Sequence, residues 1–137
     1  VAVFYSFLFL QFMLTIRAIK GTMRLQRKFS MTRHAEFTRT RKDGNAKAGR
    51  FLVLSYLEDI ELPHHKLGVI VTRKVGNAVT RNLLRRRIHA ICAKHLPSAD
   101  GKKYLVTVLR WRAPEATFSE LETDWLKQAR RLGILVA

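Results

Sequence analysis

The sequence predicts an α+β fold: a single-domain α/β sandwich in the order helix, strands, helix, strand, helix, with its helices packed on one mostly antiparallel sheet. Three observations lead there. Short runs rich in branched and aromatic residues recur at residues 50–57, 67–72 and 104–111. Two longer stretches, residues 77–95 and 117–132, repeat apolar residues at helical spacing. A chain of 137 residues, 47% of them hydrophobic, also has room for one domain and can fill one core without disulfides or structural metals.

Residues 1–16 form an apolar run followed by Arg17 and Lys20. A secretory signal carries its positive charge before the apolar run and a small-residue cleavage site after it, and this run has neither. At 16 residues, with Ser6 and Gln11 inside, it is shorter than the roughly 20 needed to span a bilayer. Two readings stand: residues 1–22 lie upstream of a true start at Met23, or they form a membrane-surface or partner-binding helix. The folded domain is expected over residues 23–137.

Residues 23–42 hold seven basic residues and one acid, Glu36, and Thr32 is expected to cap a short helix over residues 33–39 that carries Ala35 and Phe37. Lys42, Asp43, Gly44 and Asn45 are turn chemistry. The run at residues 50–57 suits a strand with most of both faces covered. After a loop at residues 58–65 containing Pro63, the run at residues 67–72 is expected to pair antiparallel with the first strand. Gly68 marks a place where another group can approach its backbone closely.

Gly76 and Asn77 punctuate the chain before the long helical pattern, which Pro97, Asp100 and Gly101 are expected to end. Residues 104–111 read as a strand that stops at Ala113 and Pro114. Thr117 and Glu120 have the spacing of a capping box, and Gly133 suits a C-terminal cap. In the helix between them, Leu121, Trp125, Leu126, Ala129 and Leu132 should face the core. Its early acids Glu120, Glu122 and Asp124 and late bases Lys127, Arg130 and Arg131 complement the helix dipole, which makes this a structural element.

Charge separates the function classes. Twenty-six Lys and Arg against ten Asp and Glu leave a formal charge of +16, a surplus that points to a polyanionic partner, nucleic acid first and an anionic membrane surface second. Seven of the ten acids fall in two clusters, and residues 62–99 contain none while carrying eight Lys and Arg. Such segregation indicates a one-sided electropositive surface. Cys92, the one cysteine, excludes a disulfide framework, fits a reducing cytoplasm and is expected to be a buried thiol.

The cationic surface is concentrated on one helix. At 100° per residue, Arg81, Asn82, Arg85, Arg86 and His89 fall within an arc of roughly 140°, while Leu84, Ile88 and Ile91 occupy another face. Arg81, Arg85 and His89 recur at i, i+4 and i+8 as a ladder, and like charges at that spacing are mutually destabilising unless counterions occupy the face. Guanidinium groups hold phosphate oxygens in a bidentate fork or stack on bases.

Residues 73–86, Arg-Lys-Val-Gly-Asn-Ala-Val-Thr-Arg-Asn-Leu-Leu-Arg-Arg, resemble over fourteen contiguous positions the signature of the bacterial ribonuclease P protein subunit. In that signature a strand ends in a basic pair and runs through Val-Gly-Asn-Ala-Val into Arg-Asn-x-x-Lys-Arg. The resemblance implies an α/β sandwich with a left-handed βαβ crossover, in which the arginine-rich helix contacts a catalytic RNA. It implies RNA-binding roles for Arg73, Lys74, Asn77, Arg81, Asn82, Arg85, Arg86 and His89. A cleft between the first helix and the sheet would hold the 5′ leader of precursor tRNA, with Phe37 as a stacking aromatic and Arg41 where a second aromatic is expected. Three departures stand out: His89 and Ala90 replace the usual Arg-Glu, Arg85 replaces a lysine, and Ser30-Met31 replaces Arg-Leu.

No catalytic constellation is legible in the chain. The acids lie in loops or on the last helix, and the adjacent His64 and His65 lack the spaced partners of a metal site. The resemblance implies the same: RNA and its Mg²⁺ perform phosphodiester hydrolysis, and this chain is the accessory subunit of a cytoplasmic endoribonuclease. The implied partners are the catalytic RNA and precursor tRNA, with no obligate protein partner and no membrane. The competing readings are a non-enzymatic RNA-binding protein, such as a ribosomal one, and a membrane-associated basic protein anchored by residues 1–16.

Overall fold

A computed structural model describes residues 29–96 and 102–135. The apolar opening, the boundary at Met23, and the expected helix terminators Pro97, Asp100 and Gly101 lie outside the described residues. The described elements are α1 (His34–Asp43), β1 (Asn45–Ala48), β2 (Leu52–Glu58), β3 (Lys66–Ile70), α2 (Ala78–His95), β4 (Lys103–Leu109), a 3-10 turn (Ala113–Glu115) and α3 (Phe118–Arg131).

The four strands form one sheet in the order β1-β2-β4-β3. β2 and β4 pair antiparallel down its centre, with Leu52 opposite Leu109 and Glu58 opposite Lys103. This corrects the expected partner of β3. It pairs parallel with β4, Leu67 opposite Leu105, because β4 and β1 already occupy both edges of β2. β3, α2 and β4 are therefore a βαβ unit inside an otherwise antiparallel sheet. β1 is a second difference, since Asn45 was expected in a turn. This four-residue edge strand is exposed at every position and so has no hydrophobic signature to read.

Strand alternation gives the sheet two faces with different coverings. Leu52, Leu54, Leu67, Leu105 and Leu109 point into the main core, where α3 and α2 close over them. Trp125 of α3 is fully buried there and donates its indole N–H to Thr107 Oγ1 at 3.3 Å. α2 contributes Leu84, Ile88, Ile91 and Cys92, each buried. The two helices are also clamped at one end, where Glu122 of α3 accepts from Lys94 at 3.2 Å and lies 3.4 Å from His95.

α3 matches its sequence reading closely. Thr117 and Glu120 form a reciprocal capping box, Gly133 adopts φ 76°, and Leu121, Trp125 and Ala129 are buried, with Leu126 and Leu132 packed at the core margin. Asp124 does more than complement the dipole: it is buried, accepts from the Phe51 backbone N–H at 2.9 Å and from Gln128 at 3.0 Å, and so ties α3 to the start of β2.

α1 lies across the opposite face of the sheet, against β2 and β4. Its start corrects the Thr32 cap. Met31 N–H donates to Leu67 O at 2.7 Å, which keeps the preceding chain extended beside β3, and Arg33 takes the cap position without a side-chain hydrogen bond. The helix runs on to Asp43, four residues past the expected end, with Thr40 buried against the sheet.

Candidate nucleic-acid interface

The turn after β3 is built by two buried valines. Val71 and Val75 anchor its ends in the core, the Val75 N–H donates to Thr72 O at 3.0 Å, and Thr72, Arg73 and Lys74 are left exposed between them. Asn77 then caps α2, its side-chain oxygen accepting from the Thr80 N–H at 2.9 Å. That cap engages the oxygen that could otherwise have read RNA, so Asn77 acts first as the residue that starts the helix.

Helical periodicity sorts the other predicted residues by depth. Asn82 and Arg86 are exposed on the outer face, whereas Arg81, Arg85 and His89 are half-buried along the edge of the packed face. Arg85 donates to Asn82 Oδ1 at 3.3 Å, which holds its guanidinium against the outer row. The Nε of Arg81 is buried and has no hydrogen-bond partner among the described residues. Arg87 points the other way and donates to Ala116 O at 3.0 Å, anchoring α2 to the approach of α3.

The electrostatics of the first half of α2 run against its own stability. Its first turn contains no acid, and Arg81 stands one turn from an N-terminus that already carries positive partial charge. Unpartnered cations beside exposed backbone N–H groups make this end a favourable place for phosphate. His89 differs from the arginines. Burial first, and the neighbouring Arg85 charge second, lower its pKa below the ordinary 6.5, so it is neutral at pH 7 and does not act as a rung of the cationic ladder there.

A second predicted feature sits on the far side of the sheet. The Phe37 ring of α1 lies directly on Gly68, where a Cβ would come 2.2 Å from the ring, so the close approach expected at Gly68 is made by this aromatic. Glu36 accepts from Lys66 at 3.2 Å and pins α1 to β3. One row further along the same face, Val53, Val108 and Ile70 stand side by side and half-exposed, forming an apolar strip beside the helix. Arg41 is exposed one helical turn beyond Phe37.

The remaining candidates have structural roles. His65 Nδ1 accepts from the Lys103 backbone N–H at 3.2 Å, and the His64 ring meets Phe29 edge-on at 4.8 Å. Cys92 is buried among apolar side chains, which pushes its thiol up to about 12 and leaves it protonated and unreactive. Trp111, read from the sequence as the end of a strand, is instead outside it and 60% exposed. The signal that could have found it is the Arg-Trp-Arg triplet just before Ala113 and Pro114.

The family model described as Ribonuclease P matches residues 25–133. A ribonuclease P protein component from Onion yellows phytoplasma is 29% identical over 83% of this chain and 81% of its own length. One from Thermus thermophilus is 38% identical over 72% of this chain, which spans 56% of that longer protein. Among solved structures, the Staphylococcus aureus RNase P protein superposes with a TM-score of 0.74 at 25% identity, over 79% of this chain and 98% of that one.

Proposed function

Because the chain belongs to the ribonuclease P protein family, we propose that it serves that tRNA 5′-processing endoribonuclease with two separate surfaces, α2 for the catalytic RNA and the face beside α1 for the 5′ leader of precursor tRNA. The observation that carries the reading is an acid-free helix with Arg86 and Asn82 exposed, Arg81 and Arg85 behind them, and the Arg73-Lys74 turn leading into its N-terminus.

Phosphate groups placed against that helix would relieve three unfavourable features at once: the repulsion along the ladder, the unmatched helix N-terminus, and the unpartnered Arg81 Nε. Guanidinium forks supply bidentate phosphate contacts, and the counterions released make such binding steeply salt-dependent. On the other face, Phe37 and the strip of Val53, Val108 and Ile70 offer apolar surface on which unpaired bases can stack, with Arg41 at hand for the backbone. Both contact sets position RNA and neither performs bond cleavage.

Mg²⁺ bound with the RNA supplies the metal chemistry of hydrolysis. No metal site is proposed in this chain, where no group of three or more His, Cys, Asp or Glu among the described residues could hold an ion. Four of the acids are engaged in structural contacts, Glu36 with Lys66, Glu58 with Lys103, Glu122 with Lys94 and Asp124 with the Phe51 N–H.

The test is cleavage of precursor tRNA by the cognate ribonuclease P RNA at low Mg²⁺, with and without this protein. Stimulation that grows with the length of the 5′ leader is expected. Absence of any stimulation would overturn the reading.

A further inference from the structure

The two tryptophans of the chain sit in opposite environments, Trp125 fully buried and Trp111 60% exposed. An indole is a large apolar group to leave in water, so its exposed position needs a reason. Looseness is not the reason. The Arg110 N–H donates to Phe51 O at 2.8 Å, its guanidinium donates to Gly49 O at 2.8 Å, and the N–H of fully buried Ala113 donates to Arg110 O at 2.9 Å. Residues 110–113 thus form a tight turn closed at both ends, with Trp111 and Arg112 at its two corners. The φ −81° and ψ −9° of Arg112 are those of the third residue of a type I turn.

The corner pair is organised within itself. The guanidinium of Arg112 lies 4.8 Å from the centre of the Trp111 ring, a cation stacked on an aromatic face. Its place in the fold follows from the register: β4 runs parallel to β3 with Val108 beside Ile70, so both strands leave the sheet at the same end. That end carries the turn of Arg73 and Lys74 and the start of α2.

We infer that Trp111 and Arg112 form a stacking platform for an unpaired nucleobase of the RNA held by α2. The inference rests on the reading of α2 as an RNA surface and extends that surface to the end of β4. A base stacks on an indole whatever its identity, and an adjacent arginine adds both a second stacking plane and a phosphate contact. Paired bases hide their faces inside a duplex, so the chemistry selects a single-stranded or bulged nucleotide. That nucleotide belongs to the catalytic RNA, the RNA assigned to α2.

Intrinsic fluorescence tests this on the full chain, because the signal comes from one exposed and one buried indole. Titration with cognate ribonuclease P RNA should quench Trp111 and shield it from acrylamide, and Trp111→Phe should abolish that change while retaining affinity. Trp111→Ala should weaken binding on the order of tenfold with an unaltered unfolding midpoint. A change with the catalytic RNA alone is the expected result, and a change that appears only after leader-bearing precursor tRNA is added would overturn the assignment to the RNA on α2. If the RNA binds by gel shift yet neither titration alters the fluorescence, the platform is overturned and the reading of α2 survives. If the wild-type protein binds no RNA, both fall. A fluorescence change that follows protein concentration without RNA would mark a protein contact and also overturn the platform.

Discussion

α3 opens with Thr117 and Glu120 in a reciprocal cap and closes with Arg130 and Arg131 in its last turn, whereas α2 opens on Asn77 with no acid in its first turn and Arg81 close behind. The helices pack on each other and share one core. On α3 the caps, dipole charges and apolar stripe all favour the folded state. On α2 the apolar stripe, the Asn77 cap and the basic last turn do so, while the charges of its first half oppose it. A helix that keeps its packing face while the charges of its first half work against stability fits the proposed reading of a partner surface, and the positive sign of that face suits an anion.

The comparison breaks most visibly on the packing side. Trp125→Ala removes the fully buried indole that packs between α3 and the sheet, and should lower stability by about 3–5 kcal/mol, read by urea unfolding. The salt dependence of RNA binding by the molecules that remain folded should not change. Arg86→Ala and Arg81→Ala should do the opposite. Arg86 is exposed, so its removal should leave the unfolding midpoint nearly untouched while each lost phosphate contact flattens the salt dependence by about 0.7–0.9 in slope. If neither arginine variant alters the slope, α2 is not the phosphate contact and the division between the helices fails.

How legible each part was in the sequence follows from what kind of interaction set it. The boundaries of α2 and α3 depend on local caps and periodic apolar residues, and both helices begin where Asn77 and Thr117 place them. The partner of β3 depends on which strand edges remain open after the whole sheet assembles, and no local pattern in residues 67–72 carries that. β1 is an edge strand of exposed Asn, Ala and Lys, so hydrophobic alternation could not announce it. At the candidate interface, periodicity placed Arg81, Asn82, Arg85 and Arg86 on one face, yet it could not distinguish exposed Arg86 from half-buried Arg81, nor reveal that Asn77 is engaged by Thr80. Trp111 was hidden because a tryptophan at the end of a β-rich run reads as part of the strand.

His89 sharpens the contrast within α2 itself. Its pKa is lowered by burial and by Arg85, so the folded chain resists a proton that the unfolded chain accepts near the ordinary 6.5. Stability is therefore favoured above that pH and declines as pH falls below it. RNA binding should move the other way, since protonation adds a cation to the face, with an effect no larger than one further phosphate contact. Titrating affinity from pH 8 to 5.5 should show strengthening only on the acidic side, absent in His89→Gln. Strengthening that persists in the variant would assign the effect to other groups.

The smallest expected effect tests the comparison most directly, because it exchanges one device between the helices. Thr80 occupies in α2 the third helical position that Glu120 occupies in α3. Thr80→Glu gives α2 the acid its first turn lacks, and an acid there should stabilise the protein by about 0.3–1 kcal/mol at low ionic strength. The same charge should weaken RNA binding, because it neutralises the helix end that phosphate would otherwise meet beside Arg81. The reverse exchange, Glu120→Thr, removes the acceptor for the Thr117 N–H and should cost a similar amount of stability while leaving RNA affinity unchanged. Paired measurements of unfolding midpoint and RNA affinity thus give opposite signatures for one substitution at equivalent places on neighbouring helices. If Glu120→Thr weakened RNA binding as much as Thr80→Glu, the charges of α2 would not be specially directed at RNA, and its unfavourable N-terminus would have to be explained by something other than binding.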